Sequence, residues 1–477
     1  MLFGRALISV VIKSFFAFLL FWANKINAQA CQCERELLTI KNIVEHNFSG
    51  FNDRIKVITK EGYEKSFDDL LNLTHNKSAS DNCLLIINKY LHIFESHHLG
   101  FYFASDPYKT DTDFVNHRTL VKITAKEIER LKNSKTWEGI YNSTFDSSYK
   151  IAVIKDRSLL HDYVGVMLDS KIPTWKKGTI KFEGKLVNDS LLEGLLYMRN
   201  QRPKLESFLL WDHNNRIGGD WRRAGAPKEE VLPTSTGKQF STIDAEKLTA
   251  NTLYIKIESF DIDYKTQIDS ILIANQHLLT STPNLILDVR DNSGGSDNSW
   301  EKLIPYLYTN PIKVIGADVL ATETTITAYK KYLDNKNLSE KAVDNMSRKI
   351  ARMENAKGEW VTSNEDETDS SYVPTLFPKK VVILINKWCG SSTEEFLLAA
   401  IQSSKVVFAG ENTIGNLDYS NIVEVPFPCS PYTLVYPTTR SRRLDVNRGI
   451  DNVGISPSYH LPESADWIQE ALKILGQ

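Results

Sequence analysis

The stretch KKVVILINKWCGSSTEEFLLAAIQ, from Lys379 to Gln402, is the segment around which the largest part of this chain is organised. Val381 to Ile385 is a continuous run of β-branched residues and leucine, which predicts a strand buried on both faces. A glycine-containing turn follows, and Glu395 to Ile401 is predicted to be helical. Ser391 and Ser392 therefore lie where a buried strand ends and a helix begins.

Two interpretations of this serine pair are open. A hydroxyl at such a junction faces backbone N–H groups and the positive end of a helix dipole, which stabilise a developing oxyanion and favour a nucleophile. The alternative is structural, because Ser391 with Glu394, and Ser392 with Glu395, match the S-x-x-E capping box that begins ordinary helices. The rest of the sequence has to distinguish the two.

Length and composition set broad limits. A chain of 477 residues is too long for one small core, so two or three domains are expected. The composition is ordinary, with 42% hydrophobic and 24% charged residues. A net charge of -2 without basic clustering gives no sign of nucleic acid or of an anionic membrane as a partner.

The N-terminus predicts export. Arg5 precedes an apolar stretch from Ala6 to Ala23, and Ala28 to Ala30 form an A-x-A cleavage site, so residues 1–30 are interpreted as a signal peptide. The protein is then expected in the periplasm or outside the cell. The alternative is a membrane anchor, since the apolar stretch is nearly long enough to span a bilayer despite Lys13.

Export permits disulfides, and the chain has five cysteines, Cys31, Cys33, Cys83, Cys389 and Cys429. The pairing predicted here joins Cys389 to Cys429, and one of Cys31 or Cys33 to Cys83, although sequence alone does not fix connectivity. An odd count leaves one cysteine over. Cys31 directly follows the predicted cleavage site, so lipidation of Cys31 and a membrane tether form the less favoured alternative.

Residues 31–105 are predicted to form a helical domain. In its third helical segment, one face carries apolar residues at helical spacing, namely Leu84, Ile87, Leu91 and Phe94. The segment ends at His97 and His98, and the alternating run GFYFAS follows. The histidine pair therefore lies at a helix-to-strand junction, where a structural role is the alternative to catalysis.

Residues 106–240 change character. Short alternating runs separated by turn residues predict an antiparallel β barrel or sandwich. No catalytic constellation is found in this segment. Its expected role is to shape a site located elsewhere, or to restrict access to it.

Residues 241–477 alternate strand, helix and strand, which predicts an α/β core. The buried strand NLILDVR runs into a glycine-rich turn, Asp291 to Ser296. This turn lacks the G-K-[ST] of a P-loop and the G-x-G-x-x-G of a dinucleotide fold, so nucleotide binding is weakly supported. The same geometry would aim backbone N–H groups at an oxyanion beside a neighbouring serine.

Two motifs in combination, LILDVRDNSGG and CGSSTEEFLLAA followed by GENTIGN, resemble the carboxyl-terminal processing (tail-specific) peptidases over about Ser235 to Leu475. The resemblance implies a crotonase-like (ClpP-like) protease core, protein or peptide substrates, no metal and no organic cofactor. Aligning Glu395 and Phe396 with the Glu-Ile of the family's S-A-S-E segment places the nucleophile at Ser392. Ser391 then becomes a cap or neighbour.

One departure from the family concerns the base. Tail-specific enzymes use a lysine within G-E-K-T-F-G-K-G, whereas Asn416 occupies that place here. An amide cannot accept the proton of a serine, so either the base lies elsewhere or the protein is inactive. The chain also has no recognisable G-L-G-F-type PDZ motif, so the resemblance does not extend to recognition of substrate carboxyl termini. The β domain is expected to stand in place of the PDZ domain.

The tricorn-like branch offers another arrangement. His98 in FESHHL is similar to the histidine of the F-x-D-x-H segment of exported members, and Asp451 in Ile450-Asp451-Asn452 resembles the acid before G-V-x-P. The resemblance thus implies that Ser392 attacks, that His98 takes and returns the proton, and that Asp451 orients the imidazole. Asp451 as a turn residue and His97 as the base remain alternatives.

The oxyanion hole implied by the resemblance combines the N–H of Gly294 or Gly295 with that of Thr393. The function expected is that of an exported serine endopeptidase working through an acyl-enzyme. One alternative is a catalytically inactive protein that binds peptides or other ligands on the same fold. A second is a hydrolase of small esters or amides, which the triad alone would permit.

Overall fold

A computed structural model describes residues 33–75, 83–103, 120–144, 148–156, 160–211, 213–226, 241–335, 338, 340–462 and 464–476. The predicted signal peptide and Cys31 lie outside these ranges. Within them, every helix is too short or too polar to cross a membrane.

The N-terminal part of the chain is helical, with α1 (Cys33–Asn47), α2 (Phe51–Ile58), α3 (Lys60–Thr74) and α4 (Cys83–His92), followed by β1 (Gly100–Tyr102). The apolar faces meet around Phe94, whose ring contacts the rings of Phe48, Tyr63 and Tyr90. A disulfide between Cys33 and Cys83 joins α1 to α4. The short loop after α4 delivers the histidine pair to β1.

The middle of the chain is a closed antiparallel barrel, one of the two architectures expected from sequence. After α5 (Ala125–Lys132) come its strands, β2 (Gly139–Ser143), β3 (Tyr149–Lys155), β4 (Tyr163–Ser170), β5 (Ile180–Leu186), β6 (Leu191–Tyr197), β7 (Pro203–Trp211), β8 (Arg216–Ile217) and β9 (Trp221–Arg223). Large side chains including Tyr141, Phe182, Phe208 and Trp221 pack together in one buried cluster. The barrel therefore has a packed core.

The α/β core begins with β10 (Ile243–Thr249), β11 (Thr252–Ile257), α6 (Lys265–Ala274), α7 (Gln276–Leu279), β12 (Asn284–Asp288), α8 (Ile304–Leu307), β13 (Ile312–Val314), β14 (Ala317–Leu320), α9 (Glu323–Tyr332) and α10 (Glu340–Asn355). It continues with β15 (Trp360–Asn364), β16 (Glu367–Asp369), β17 (Lys380–Ile385), α11 (Ser392–Ala400), β18 (Val406–Gly410), β19 (Tyr419–Pro426), β20 (Thr433–Ser441), β21 (Tyr459–His460) and α12 (Trp467–Ile474). Short 3-10 turns cover Ile262–Tyr264, Asp297–Ser299, Glu301–Leu303 and Arg442–Val446.

The main sheet of this core has the strand order β10-β11-β12-β17-β18-β21. All its pairs are parallel except β10 with β11. Val381 to Ile385 of β17 are all buried, in agreement with the sequence prediction. Phe396 and Leu397 of α11 cover one face of the sheet, and Trp467 of α12 covers the other.

A second sheet connects the N-terminal helices to the core. Its order is β1-β20-β14-β15, with β19 also paired to β20, while β13 and β16 form a separate two-stranded ribbon. Gly100 of β1 pairs with Val435 of β20. This pairing anchors the histidine-bearing loop beside the loops of the main sheet.

The predicted disulfide between Cys389 and Cys429 is wrong. Cys389 is a free, buried thiol, and Cys429 is disulfide-bonded, but not to Cys389. The physical reason is that the turn after β17 points Cys389 into the core, where its Sγ donates to the carbonyl of Val289 at 3.0 Å. The expectation that Cys31 or Cys33 pairs with Cys83 is confirmed, with Cys33 as the partner.

The Cys389 thiol is expected to resist alkylation in the folded protein. Burial raises its pKa to about 12, so very little thiolate forms at pH 8. Iodoacetamide should leave Cys389 unmodified until denaturant is added, as measured by peptide mass spectrometry without reductant, with free glutathione as the reactive control. Labelling of Cys389 in the native state, or its recovery in a disulfide-linked peptide, would contradict this.

Candidate active site

The loops that follow β11, β12, β17 and β18 converge at one edge of the main sheet. These four strands are consecutive neighbours and parallel, so their carboxyl ends lie together. The carboxyl edge of a parallel sheet is where open α/β folds bind their ligands. Both candidate serines and the glycine-rich turn lie at this edge.

A buried amide fastens these loops to each other. The Oδ1 of Asn292 accepts hydrogen bonds from the backbone N–H groups of Phe260 at 3.2 Å and Gly294 at 3.1 Å, and from the Thr393 hydroxyl at 2.7 Å. Its Nδ2 donates to the carbonyl of Ile257 at 3.1 Å. One fully buried side chain thus fixes the glycine-rich turn against β11 and α11.

The glycine-rich turn packs directly beneath the serines. Gly294 has φ 107° and Gly295 has φ 139°, in the left-handed region that favours glycine. A Cβ on Gly294 would lie 2.7 Å from the carbonyl oxygen of Gly390 and 2.8 Å from Cβ of Ser391, and a Cβ on Gly295 would overlap Phe260. Only glycines let the turn approach this closely.

Ser391 has a strained backbone. Its φ of 53° and ψ of -123° are costly for a residue with a Cβ, and such strain concentrates at functional sites. A strained strand-to-helix turn is also the device that exposes the nucleophile of α/β-hydrolases. Ser391 is the N-cap residue of α11, but its side chain makes no capping hydrogen bond. The capping-box interpretation of Ser391 is therefore not what the structure shows.

The motif alignment predicts that Ser392 is the nucleophile. In the structure, its hydroxyl is already engaged in two hydrogen bonds. Its Oγ donates to Oδ1 of Asp297 at 2.5 Å and accepts from Nε1 of Trp300 at 3.0 Å. The residue is only 5% exposed. Burial raises the pKa of the Asp297 carboxyl, and the hydrogen bonds from Ser392 and Trp300 partly offset the rise.

The predicted oxyanion donors divide into engaged and open groups. The N–H of Thr393 donates to the carbonyl of Gly390 at 3.0 Å, and that of Gly294 donates to Asn292. The N–H groups of Gly295 and Ser392 have no hydrogen-bond acceptor among the residues that the structure describes. Gly294, which precedes Gly295, packs against the turn that carries the second open group, since a Cβ on Gly294 would lie 2.9 Å from the nitrogen of Ser392.

His98 meets the serines in a shared cleft of about 700 Å³, which Ser391, Ser392 and Gly295 also line. Its Nδ1 lies 2.7 Å from the carbonyl oxygen of Tyr419. Because a carbonyl only accepts, Nδ1 carries the proton and Nε2 keeps a free lone pair in the neutral ring. Burial lowers the pKa of His98 and so favours this neutral form.

His97, the alternative base, is exposed and hydrogen-bonds Asn452. Asp451 is not brought to His98 in any contact of the described residues. Its Oδ1 instead accepts from the backbone N–H of Asp418 at 2.7 Å. The Tyr419 carbonyl occupies the position at Nδ1 that a triad carboxylate would take, so the orienting group predicted at Asp451 is replaced by a backbone oxygen.

Asn416, at the place of the family's lysine, holds the strained turn. Its Oδ1 accepts from the N–H of Ser391 at 2.5 Å, and its own N–H donates to Oε2 of Glu394 at 2.9 Å. The other oxygen of Glu394 accepts from the N–H of Gly415 at 2.8 Å. A buried carboxylate on α11 thus fixes the loop that fixes Ser391.

Sequence reasoning missed four participants in this site. Asp297 and Trp300 follow the glycine-rich turn. An acidic residue shortly after Gly294 and Gly295 is the sequence feature that could have indicated them. Asp418 and the carbonyl of Tyr419 carry no motif, and a backbone carbonyl leaves no trace in residue identity. Among the described residues, no group of three or more His, Cys, Asp or Glu side chains is arranged to hold a metal ion.

The strained turn at Ser391, the His98 ring and open backbone N–H groups line one cleft, an arrangement that can support hydrolysis through a serine hydroxyl. Residues 251–461 match the model of Peptidase family S41. The resemblance seen in the motifs is confirmed, and the chain is a serine peptidase whose substrates are proteins or peptides. The matched region contains both serines, whereas His98 lies outside it.

Among solved structures, the chain is similar to mature CPAF, with 11% identity, a TM-score of 0.48 and coverage of 93% of this chain and 96% of that chain. The photosystem II D1 C-terminal processing protease shows 11% identity, a TM-score of 0.37 and coverage of 94% and 98%. The tricorn protease shows 14% identity, a TM-score of 0.39 and coverage of 93% and 36%. No conclusion about activity follows from likenesses this distant. No curated protein matches the sequence.

Replacing Asp451 by asparagine is expected to stabilise the protein at alkaline pH. Burial raises the pKa of Asp451 from 3.8 to about 7, and the carboxylates of Asp418 and Glu394 add to the rise. The unfolded chain therefore releases this proton first, and the penalty on folding grows as the pH rises from about 4 to 7. Asparagine never ionises and keeps the acceptor for the N–H of Asp418.

The stability advantage of Asp451→Asn over the wild type should grow by roughly 1–2 kcal/mol between pH 5 and pH 8. Urea unfolding at the two pH values measures it, with Asp334→Asn, at an exposed position, as the control. A difference between wild type and variant that is the same at both pH values would show that Asp451 does not titrate in this way.

Proposed function

We propose that the chain is an exported serine endopeptidase in which Ser391 is the nucleophile and His98 the general base. The observation that carries this proposal is the strained turn at Ser391, whose hydroxyl makes no cap and opens on the cleft that His98 also lines. Ser392, the residue selected by the motif alignment, has its hydroxyl engaged by Asp297 and Trp300. The pairing of serine with histidine follows the tricorn-like branch.

The first half of the reaction forms the acyl-enzyme. Oγ of Ser391 attacks the carbonyl carbon of the peptide bond while Nε2 of His98 takes the hydroxyl proton. The N–H groups of Ser392 and Gly295 stabilise the negative oxygen of the tetrahedral intermediate. His98 then gives its proton to the leaving amine, the C–N bond breaks, and an ester on Ser391 remains.

Hydrolysis of this ester repeats the sequence with water. His98 takes a proton from the water as its oxygen attacks the ester carbonyl, and then returns that proton to Oγ of Ser391 as the C–O bond breaks. The Tyr419 carbonyl holds Nδ1–H throughout and keeps the imidazole in one tautomer. A neutral carbonyl is a weaker partner for imidazolium than a carboxylate would be. Burial lowers the pKa of His98, and the hydrogen bond to the Tyr419 carbonyl offsets this only in part.

Export is the second element of the proposal. It is supported by the leader-like segment at residues 1–30, and a disulfide such as Cys33–Cys83 agrees with an oxidising compartment. Expression of the full chain in a secreting host should yield a mature protein that begins at Cys31, as read by N-terminal sequencing and intact mass. A mature N-terminus at Met1 would exclude cleavage and favour the membrane anchor. A mass increase on Cys31 would indicate lipidation.

Fluorophosphonate labelling is expected to modify Ser391. Ser391→Ala should abolish labelling and lower turnover of an unfolded protein substrate by roughly a millionfold, because the nucleophile is lost. His98→Ala should have a comparable effect. Ser392→Ala should still be labelled, at Ser391 and at a reduced rate, as mapped by peptide mass spectrometry.

The outcomes separate the candidate functions. Labelling that persists in Ser391→Ala and disappears in Ser392→Ala would assign the nucleophile to Ser392. Cleavage of small esters without cleavage of unfolded protein would indicate a hydrolase of small esters or amides. A folded wild-type protein that is neither labelled nor active would refute the catalytic proposal and favour a ligand-binding role for the cleft.

A further inference from the structure

Asp297 is an acid in the wall of the cleft that the proposed reaction does not use. It begins the 3-10 turn Asp297–Ser299, two residues after Gly295, and it lines the cleft together with Ser391. Its Oδ1 accepts the hydrogen bond from the hydroxyl of Ser392 at 2.5 Å. The carboxyl group is therefore connected to the residue that follows the proposed nucleophile.

The backbone at Ser391 has to be held from both sides. A non-glycine residue with these dihedral angles costs on the order of 1–3 kcal/mol, and it persists only where its surroundings over-determine it. On the N-terminal side, Asn416 accepts the hydrogen bond from the N–H of Ser391 at 2.5 Å. On the C-terminal side, the equivalent restraint is provided by Ser392, because hydrogen bonds fix the position of its side chain.

The anchor on Ser392 is rigid. Nε1 of Trp300 donates to its Oγ at 3.0 Å while the same oxygen donates to Asp297, so both hydrogen-bonding roles of the hydroxyl are filled. The ring of Trp300 contacts Phe396, with centroids 5.8 Å apart, and Phe396 is fully buried against Phe260. Rotation of the Ser392 side chain would break two hydrogen bonds inside a packed aromatic cluster.

We propose that Asp297 is a positioning residue for the peptidase reaction. Through the hydroxyl of Ser392, and with Trp300, it fixes the peptide between Ser391 and Ser392 so that the N–H of Ser392 faces the position where the oxyanion develops. This inference rests on the proposed function, because it requires Ser391 as the nucleophile. It adds a residue that acts only through the orientation of one backbone donor.

The alternative role for Asp297 would be that of a base for Ser392. That arrangement lacks an essential part, since the N–H of Thr393, which follows Ser392, already donates to the carbonyl of Gly390. An oxyanion formed at Ser392 would find this donor occupied. A positioning role uses every hydrogen bond as the structure has it, and it leaves the N–H of Ser392 open.

The positioning role requires an acceptor at Asp297 but no negative charge. Asp297→Asn keeps an oxygen that accepts from Ser392, so its kcat should stay within about threefold of the wild type. Asp297→Ala removes the acceptor. Loss of one oxyanion donor costs about 100- to 1000-fold in kcat, and a donor that is displaced rather than lost should cost about 10- to 100-fold. KM should change by less than about threefold.

The test compares kcat and KM of the full-length protein on an unfolded protein substrate for the wild type, Asp297→Ala and Asp297→Asn, with folding checked by circular dichroism. Trp300→Phe keeps the ring and removes only the donor, so a smaller loss of kcat is expected. Asp269→Asn is the matched control, because Asp269 bonds Lys265 and Lys302 away from the cleft. Its kcat should equal that of the wild type.

A double-mutant cycle decides whether Asp297 acts through Ser392. The double variant Asp297→Ala/Ser392→Ala should be no slower than the slower of the two single variants. Both substitutions remove the same hydrogen bond between Ser392 and Asp297. Additive losses would overturn the inference, as would an unchanged kcat in Asp297→Ala.

Asparagine as slow as alanine would show that the charge matters, and would favour a base. If Asp297→Ala does not fold, the kcat values of Trp300→Phe and Ser392→Ala are compared with that of the wild type instead. The proposed function fails separately, when Ser391→Ala retains activity.

Discussion

A serine with a backbone conformation that favours glycine is the constraint on which the rest of this site depends. The strain at Ser391 is maintained by groups that are themselves buried and hydrogen-bonded. Asn292 fixes the glycine-rich turn beneath it, and Glu394 fixes the loop that carries Asn416. A buried polar network of this kind stabilises the fold only when every polar group in it has a hydrogen-bond partner, because an unpaired buried group costs desolvation free energy. Here they hold the backbone of one serine that lines the cleft.

The second half of the site is brought from a distant part of the chain. His98 and Tyr419 are 321 residues apart in sequence, and they meet because β1 pairs with β20, the neighbour of β19. The position of the His98 imidazole therefore depends on a sheet that is separate from the sheet carrying the serines. A contact this distant in sequence carries a large loop-closure cost, which the packing of the intervening chain has to offset.

The sequence predicts the larger features of this site and leaves its finer geometry open. The apolar run from Val381 to Ile385 predicts the buried strand, and the resemblance of FESHHL to a family motif predicts that His98 lies beside the serines. The choice between Ser391 and Ser392 is beyond a motif alignment, because it depends on one dihedral angle and on hydrogen bonds from residues about 25 and 95 positions away. The error over Cys389 has a similar origin, since the direction of a turn decided whether the thiol faced the core.

The hydrophobic core around the N-terminal helices is shared by several segments of the chain. The same continuous cluster includes Leu37 of α1, Leu195 of the barrel, and Val319 and Leu434 of the second sheet. The peptidase core is therefore not a self-contained module to which other domains have been added. Removing the helical segment or the barrel would therefore expose part of the interior that packs around Leu99 and Phe101, next to His98.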